Sequence, residues 1–261
     1  MPVIDLPNGL TVQATTTAEA VYLYREIFVE RQYACWDEGT GPATVVDVGA
    51  NIGMFSMFAL AEWSPRKLLA IEAIPDVTEL LRANLAGYPN ATVIGTAVGA
   101  AHGRADFGYY PRCTIMSGRH YDVDHDRATV IQSAQLRSVH LSDVAKSKLA
   151  RDVSAMADQQ FAEVQQLQVD VRPLDELLAE HGIGQVDILK IDVEGDELAV
   201  LQGLGSRSDR VRCIVTEVDT SRVQWADMVG WFTTNGFALR EMPRGPGDLP
   251  SMRMILATRR S

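Results

Sequence analysis

The stretch TVVDVGANIGMFSMFALAEW, residues 44–63, is an apolar run that breaks at a cluster of glycines and then turns apolar again. The first part, rich in β-branched residues, reads as a buried strand, and the second part as a helix. A strand running straight into a helix leaves the first-turn N–H groups unpaired over the strand end, where they can meet a ligand. Gly49 and Gly53 would let the backbone come close to such a ligand, and Gly53 could also bring helix and strand together. A tight turn with no ligand explains the glycines equally well. Asp47 is harder to explain, because a carboxylate inside an apolar strand needs hydrogen-bond partners or a cation.

Outward from this stretch the chain alternates. Strands are expected at ATVVDVG, KLLAIEA, ATVIGTAV, VDILKIDV and VRCIVTEV, and helices at 53–63, 76–87, 195–203 and 222–235. Such alternation builds βαβ units and a mostly parallel sheet with helices on both faces. FALREM and MRMILATRR, joined by the Pro/Gly turn PRGPGDLP, have no helix between them and predict an antiparallel hairpin at the sheet edge. Upstream, PNG marks a short hairpin, and TTTAEAVYLYREIFVERQYACW reads as a capped amphipathic helix. Residues 1–42 are therefore expected as an arm and helix packed on a core domain of residues 43–261. Between about 110 and 165 the alternation fails, and a polar segment too long for an ordinary connection predicts a partly helical lid or substrate-side insertion.

Composition narrows the function. The 261 residues are 46% hydrophobic and 22% charged, enough for one large α/β domain with a real core. No stretch approaches the roughly 20 apolar residues of a membrane span, and the N-terminus lacks the features of a secretory signal. A formal net charge of −10 argues against a nucleic-acid partner. Cys35, Cys113 and Cys213 show no metal-like spacing and leave an odd thiol, which predicts a reducing, cytoplasmic setting.

Glu72 closes the second strand, where an acid can accept hydrogen bonds from both hydroxyls of a ribose. The dinucleotide fingerprint G-x-G-x-x-G nevertheless fails, since Asn51 and Met54 stand where its second and third glycines belong. A ligand with a ribose and no pyrophosphate fits better. S-adenosylmethionine (SAM) is such a ligand, and carboxylates near the turn suit its ammonium and sulfonium charges.

VVDVGANIGMFS, IEAIPD and, above all, VDILKIDVEGDELAVLQGL resemble the FkbM family of class I SAM-dependent methyltransferases, with LQVDVRPLDELLAEHG and the TEV strand in agreement. The likeness runs over roughly residues 16–258. It implies a Rossmann-like seven-stranded sheet with an antiparallel last strand, and methyl transfer to a hydroxyl of a polyketide, peptide, sugar or similar metabolite. It also implies that Asp47, Gly49, Asn51 and Gly53 line the methionine part of SAM, with Tyr33 closing over it. Glu72 would hold the ribose, Ala73 and Ile74 would lie beside the adenosine, and Ala97 would touch the adenine side.

Methylating an alcohol requires an in-line approach and removal of the hydroxyl proton. Asp192 and Glu194 in KIDVEGDE would share a strand face if the strand lasts that far, and Glu217 and Asp219 end the next strand. These acids are candidates for the base, or oxygen ligands for Mg²⁺, which the sequence allows and does not favour. Asp192 could instead orient the cofactor's amino group, Glu197 reads as a solvated or capping acid, and Lys190 should pair with a neighbouring acid. Some polyketide-associated relatives carry a His where this chain has Asp219. His140, His120 and His125 could supply a base from the insertion, while His102 and His181 look structural. FGYYPRCTIMSG, residues 107–118, reads either as an aromatic wall for an apolar acceptor or as packing under the insertion. N- or C-methylation, a nucleotide-dependent oxidoreductase or epimerase, and a non-catalytic SAM-binding partner remain as alternatives. The acceptor, free or bound to a carrier protein, and the oligomeric state are not written in these motifs.

Overall fold

A computed structural model describes residues 1–36, 41–243 and 249–259. The chain opens with a hairpin of β1 (Val3–Asp5) and β2 (Thr11–Gln13), then α1 (Thr17–Tyr24), which continues into a π-helical turn at Arg25–Val29. Next come β3 (Thr44–Val48), α2 (Met54–Trp63), β4 (Lys67–Glu72), α3 (Pro75–Leu85), β5 (Ala91–Gly95), β6 (Ala97–Val98) and β7 (Gly103–Tyr109). The insertion holds α4 (Val123–Arg137) and α5 (Asp143–Gln160). The chain then runs through β8 (Gln165–Arg172), α6 (Leu174–Glu180), β9 (Val186–Ile191), α7 (Glu197–Gln202), β10 (Val211–Asp219), α8 (Trp225–Thr234), β11 (Phe237–Glu241) and β12 (Met252–Arg259). The turn expected at 243–250 lies partly outside the described residues.

Seven strands form the main sheet in the order β11-β12-β10-β9-β3-β4-β5, and β12 runs against both of its neighbours. Strand order reverses between β3 and β9, which pair in parallel; in open α/β sheets that reversal opens a ligand crevice at the carboxyl edge. ATVIGTAV does not make one strand. It divides at Thr96, whose hydroxyl donates to the Asp170 carbonyl at 2.8 Å, and β6 joins a separate three-stranded sheet with β8 and β7. In that sheet Tyr109 faces Gln165, so the insertion begins and ends at the mouth of the antiparallel β7–β8 pair.

Alternation along the strands sorts the core into two layers. Val45, Leu68, Ala70 and Ile188 pack toward α1 and α2, while Val46, Leu69, Ile71 and Leu189 face α6, α7 and α8. Helix α2 is buried over most of its length, Met54 through Leu60, so its faces are apolar all round. Helix α1 starts at Thr16, whose hydroxyl accepts from the Glu19 N–H at 3.2 Å. No helix among the described residues is long and apolar enough to cross a membrane. The three cysteines are free thiols.

Asp47 and Lys190 stand opposite each other in the β3–β9 register, on the layer facing α2. The Lys190 ammonium lies 3.3 Å from Asp47, 3.3 Å from Asp192 and 2.7 Å from the Gly49 carbonyl oxygen. Ser56 of α2 donates to the second Asp47 oxygen at 2.7 Å. Burial by itself would lower the Lys190 pKa, but Asp47 and then Asp192 overcome it and hold the ammonium above its usual value. The acid inside the first strand is thus a counter-ion.

After β9 the chain turns sharply. Glu194 adopts a left-handed conformation at φ 56°, and Gly195 follows at φ 110°. Helix α7 therefore begins only at Glu197. The Glu197 carboxylate faces back and accepts from the Gly195 N–H at 3.0 Å and the Val193 N–H at 3.4 Å. It is a buried cap rather than a solvated acid, and burial raises its pKa to about 7 despite those N–H bonds. A carboxyl raised on folding binds more protons in the native state between its unfolded value near 4.5 and 7, so its contribution to stability falls as pH rises through that window. Relative to Glu197→Gln, the wild-type protein should lose about 2–3 kcal/mol of stability between pH 4.5 and 7. Urea denaturation of the two proteins across that range would measure it, and parallel stability curves would contradict this account of the turn.

Candidate functional site

A cavity of about 500 Å³ opens at the carboxyl edge of β3, β4, β9 and β10, over the point where strand order reverses. Its floor is the Gly49–Asn51 turn, the end of β4 from Glu72 to Ile74, and Thr96–Val98. Its roof comes from α1, the π-turn and the insertion helices, including Tyr22, Glu26, Val130 and Ala134.

Glu72 anchors the floor. One carboxylate oxygen accepts from the Asn51 N–H at 2.9 Å and the other from the Ile74 N–H at 2.9 Å. Burial raises its pKa, and those two N–H bonds oppose the rise. Each oxygen still has a lone pair for a hydroxyl on the cavity side. Ala73, Ile74 and Ala97 line the same end.

Both turn glycines sit where packing leaves no room for a Cβ. At Gly49, φ is 75°, and a Cβ would sit 1.8 Å from the Asp192 carbonyl oxygen. Close approach of the β3 turn to the end of β9 thus excludes a side chain there, although Gly49 also lines the cavity. Gly53, at φ 90°, is set by packing, since a Cβ would meet Leu81 at 2.7 Å. Neither Gly53 nor Asp47 is on the cavity wall. Asn51 is on it, with its amide donating to the Thr114 hydroxyl at 2.8 Å.

Acids gather opposite Glu72. The Tyr33 hydroxyl faces Asp192 at 3.1 Å and Glu217 at 3.5 Å, and the ring is buried. Burial first, then the Asp192 and Glu217 charges, push the Tyr33 pKa well above its ordinary value, so the phenol remains a donor. Strand β9 ends at Ile191, so Asp192 and Glu194 do not share a strand face. The left-handed turn still leaves both on the cavity wall. Among the described residues no hydrogen bond engages the Glu194 carboxyl, and burial, then the Asp192 charge, raises its pKa well above the usual carboxylate range.

The histidines do not join this cluster. His140 is exposed in the turn between α4 and α5 and is off the cavity wall, because the insertion turns its tip away from the carboxylates. His120 faces Asp196 at 3.0 Å, and His125 lies 3.7 Å from Asp219. Asp219 itself is held by the Ser221 N–H and hydroxyl at 2.9 and 2.7 Å, outside the cavity lining. His102 pairs with Glu176, and the His181 ring faces the Leu177 carbonyl. In FGYYPRCTIMSG, Tyr109 and Tyr110 are packing residues, and the Tyr110 hydroxyl donates to buried Asp126 at 2.9 Å. Met116 and Ser117 do reach the cavity. Among the described residues no group of three or more His, Cys, Asp or Glu side chains is placed to hold a metal ion.

Several wall residues had no motif to reveal them. Glu19 is buried and accepts from the Thr114 hydroxyl and the Ile115 N–H, each at 3.0 Å, which ties α1 to the segment before the insertion. Its position three residues after the capping Thr16 hints only at a helix start. Tyr22, which donates to Glu26 at 3.0 Å, reads from sequence as a core position.

Known proteins share this chain's sequence and fold. The family model described as the methyltransferase FkbM domain matches residues 47–239. The chain is 35% identical over 239 residues to the 31-O-demethyl-FK506 methyltransferase FkbM of Streptomyces tacrolimicus, covering 90% of this chain and 88% of that one. It is 33% identical over 226 residues to the AMB antimetabolite synthetase AmbE of Pseudomonas aeruginosa, covering 84% of this chain and 10% of the synthetase. The crystal structure of methyltransferase FkbM from Methylobacillus flagellatus superposes with a TM-score of 0.52 at 14% identity, over 86% of this chain and 45% of that one, a likeness of fold. With the match spanning most of the chain, this protein belongs to the FkbM family of methyltransferases.

Proposed function

We propose that the protein transfers a methyl group from SAM to a hydroxyl oxygen of a small-molecule metabolite, a polyketide, peptide or sugar product that is free or tethered to a carrier protein. The observation that carries the proposal is the division of one cavity between Glu72 on its floor and the Asp192–Glu194–Glu217 group opposite. The residues fit the cofactor. Glu72 offers two oxygens to a ribose diol, and Ala73, Ile74 and Ala97 offer apolar surface beside an adenosine. Tyr33, Gly49, Asn51 and Asp192 would border the methionine end, where carboxylate charge suits a cation and opposes a diphosphate. Bound there, SAM supplies an electrophilic methyl group on its sulfonium.

The chain's own work is to orient the acceptor and take its proton. Glu194 is the candidate base: its carboxyl lies on the cavity wall without a hydrogen-bonding partner among the described residues, and burial, then the Asp192 charge, raises its pKa well above the usual carboxylate range, which makes the carboxylate a stronger proton acceptor. Asp192 shares Lys190 with Asp47, and Glu217 faces Tyr33, so both are better suited to orientation. The acceptor would enter between α1 and the insertion, where Val130, Ala134 and Met156 give an apolar wall. Methylation at oxygen follows the Streptomyces relative, whose name gives 31-O-demethyl-FK506 as its substrate.

Calorimetric titration should show SAM binding to the wild-type protein and a loss of about 1–3 kcal/mol in Glu72→Ala. Equal affinities would remove Glu72 from the cofactor site. With an acceptor found by methyl transfer from labelled SAM into a panel of hydroxylated metabolites, Glu194→Gln should keep SAM affinity within about twofold and slow turnover by about 10²–10⁴. A base acts only when deprotonated, so the wild-type rate should climb with pH through the Glu194 pKa and level off, a limb that the variant lacks. Unchanged turnover in Glu194→Gln would assign the proton to another group.

A further inference from the structure

The tip of the insertion is unlike the rest of the molecule. Leu136, Val139 and Val144 are exposed there, Val144 at 83% and Val139 at 68%, a local concentration of large apolar side chains in solvent. Between α4 and α5 a second hollow of about 450 Å³ is lined by Ile131, Ala134, Leu149, Ala150 and Val153, with Lys146 at its side. Lys146, Lys148 and Arg151 bring three positive charges to this tip against two acids, Asp143 and Asp152, in a chain whose formal net charge is −10. No ion pair among the described residues engages those three, whereas Lys67 and Lys190, the chain's other lysines, are both committed inside the fold. Ala134 lines both this hollow and the main cavity, so the tip adjoins the acceptor entrance.

We infer that the α4–α5 tip is a docking surface for an acidic, helical protein partner that brings the acceptor to the cavity. The inference rests on the acceptor-side reading proposed above. Charge complementarity selects the partner: its carboxylates would meet Lys146, Lys148 and Arg151, and its apolar side chains would fill the hollow and cover Val139 and Val144. A concave hollow takes side chains projecting from a helix, which a flat bilayer does not present. A narrow acidic helix touches the tip alone.

The test uses a fluorescein-labelled 20-residue amphipathic peptide with glutamates on one face and leucines on the other, and its lysine counterpart. Fluorescence anisotropy should show binding of the glutamate peptide that weakens with salt and falls at least tenfold in a K146E/K148E variant, with amide hydrogen exchange slowed over residues 131–153. The same variant should bind SAM as the wild type does, which separates failure at the tip from failure of the cofactor site. The proposal is overturned if neither peptide binds, if the lysine peptide binds as well, if the variant still binds, or if protection falls elsewhere. Sedimentation with phosphatidylglycerol vesicles but no peptide binding would overturn it in favour of a membrane surface.

Discussion

A single buried ammonium holds the centre of this structure. Lys190 faces Asp47 across two parallel strands, reaches Asp192 just past the end of its own strand and donates to the Gly49 carbonyl oxygen of the first turn. Removing one member of such a cluster would leave an uncompensated charge inside the sheet, a loss of about 3–5 kcal/mol. The arrangement also does geometric work. By gripping the turn after β3 and the end of β9 at once, it sets the width of the crevice where strand order reverses. Gly49 closes the same gap from the backbone side, since only a residue without Cβ fits against the Asp192 carbonyl.

From that constraint the electrostatics of the cavity follow. One lysine is shared between Asp47 and Asp192, and Glu194 and Glu217 line the same open space beside them. The turn that carries Glu194 is held from beneath by Glu197, which occupies the exposed N–H groups of Val193 and Gly195. A left-handed glutamate on a cavity wall is locally costly, and the cap and the neighbouring glycine make it tolerable. At the far end Glu72 spans two elements, joining the Asn51 turn to the start of α3 through Ile74. The cavity is therefore built by the same polar contacts that would meet its ligand.

Much of this was legible in the chain. Strand-helix alternation and the helix-free C-terminal pair predict a mostly parallel sheet with an antiparallel hairpin at its edge, the family resemblance implies seven strands, and the main sheet has all of these. Where that alternation fails, after residue 110, the chain forms α4 and α5 between the paired strands β7 and β8. Local pattern was less informative where tertiary contacts decide. Asp47 and Gly53 sit in a motif whose spacing points at a ligand, yet one answers to a lysine 143 positions away in the sequence and the other to a leucine on α3. Glu19, Tyr22 and Glu26 reach the cavity because α1 and its π-helical continuation cross over the sheet edge, a placement that no local periodicity encodes. His140 looked chemically able, and a turn at the insertion tip carried it into solvent.

The central claim is that the lysine-braced crevice receives a positively charged nucleoside with its sugar on Glu72. A crystal structure with S-adenosylhomocysteine, the neutral product of such a ligand, tests it most directly. The account predicts both ribose hydroxyls within about 2.6–3.2 Å of the Glu72 carboxylate and the amino-acid end beside Asp192 and Tyr33. A product molecule bound elsewhere, or a Glu72 that contacts only Asn51 and Ile74 in the complex, would contradict it.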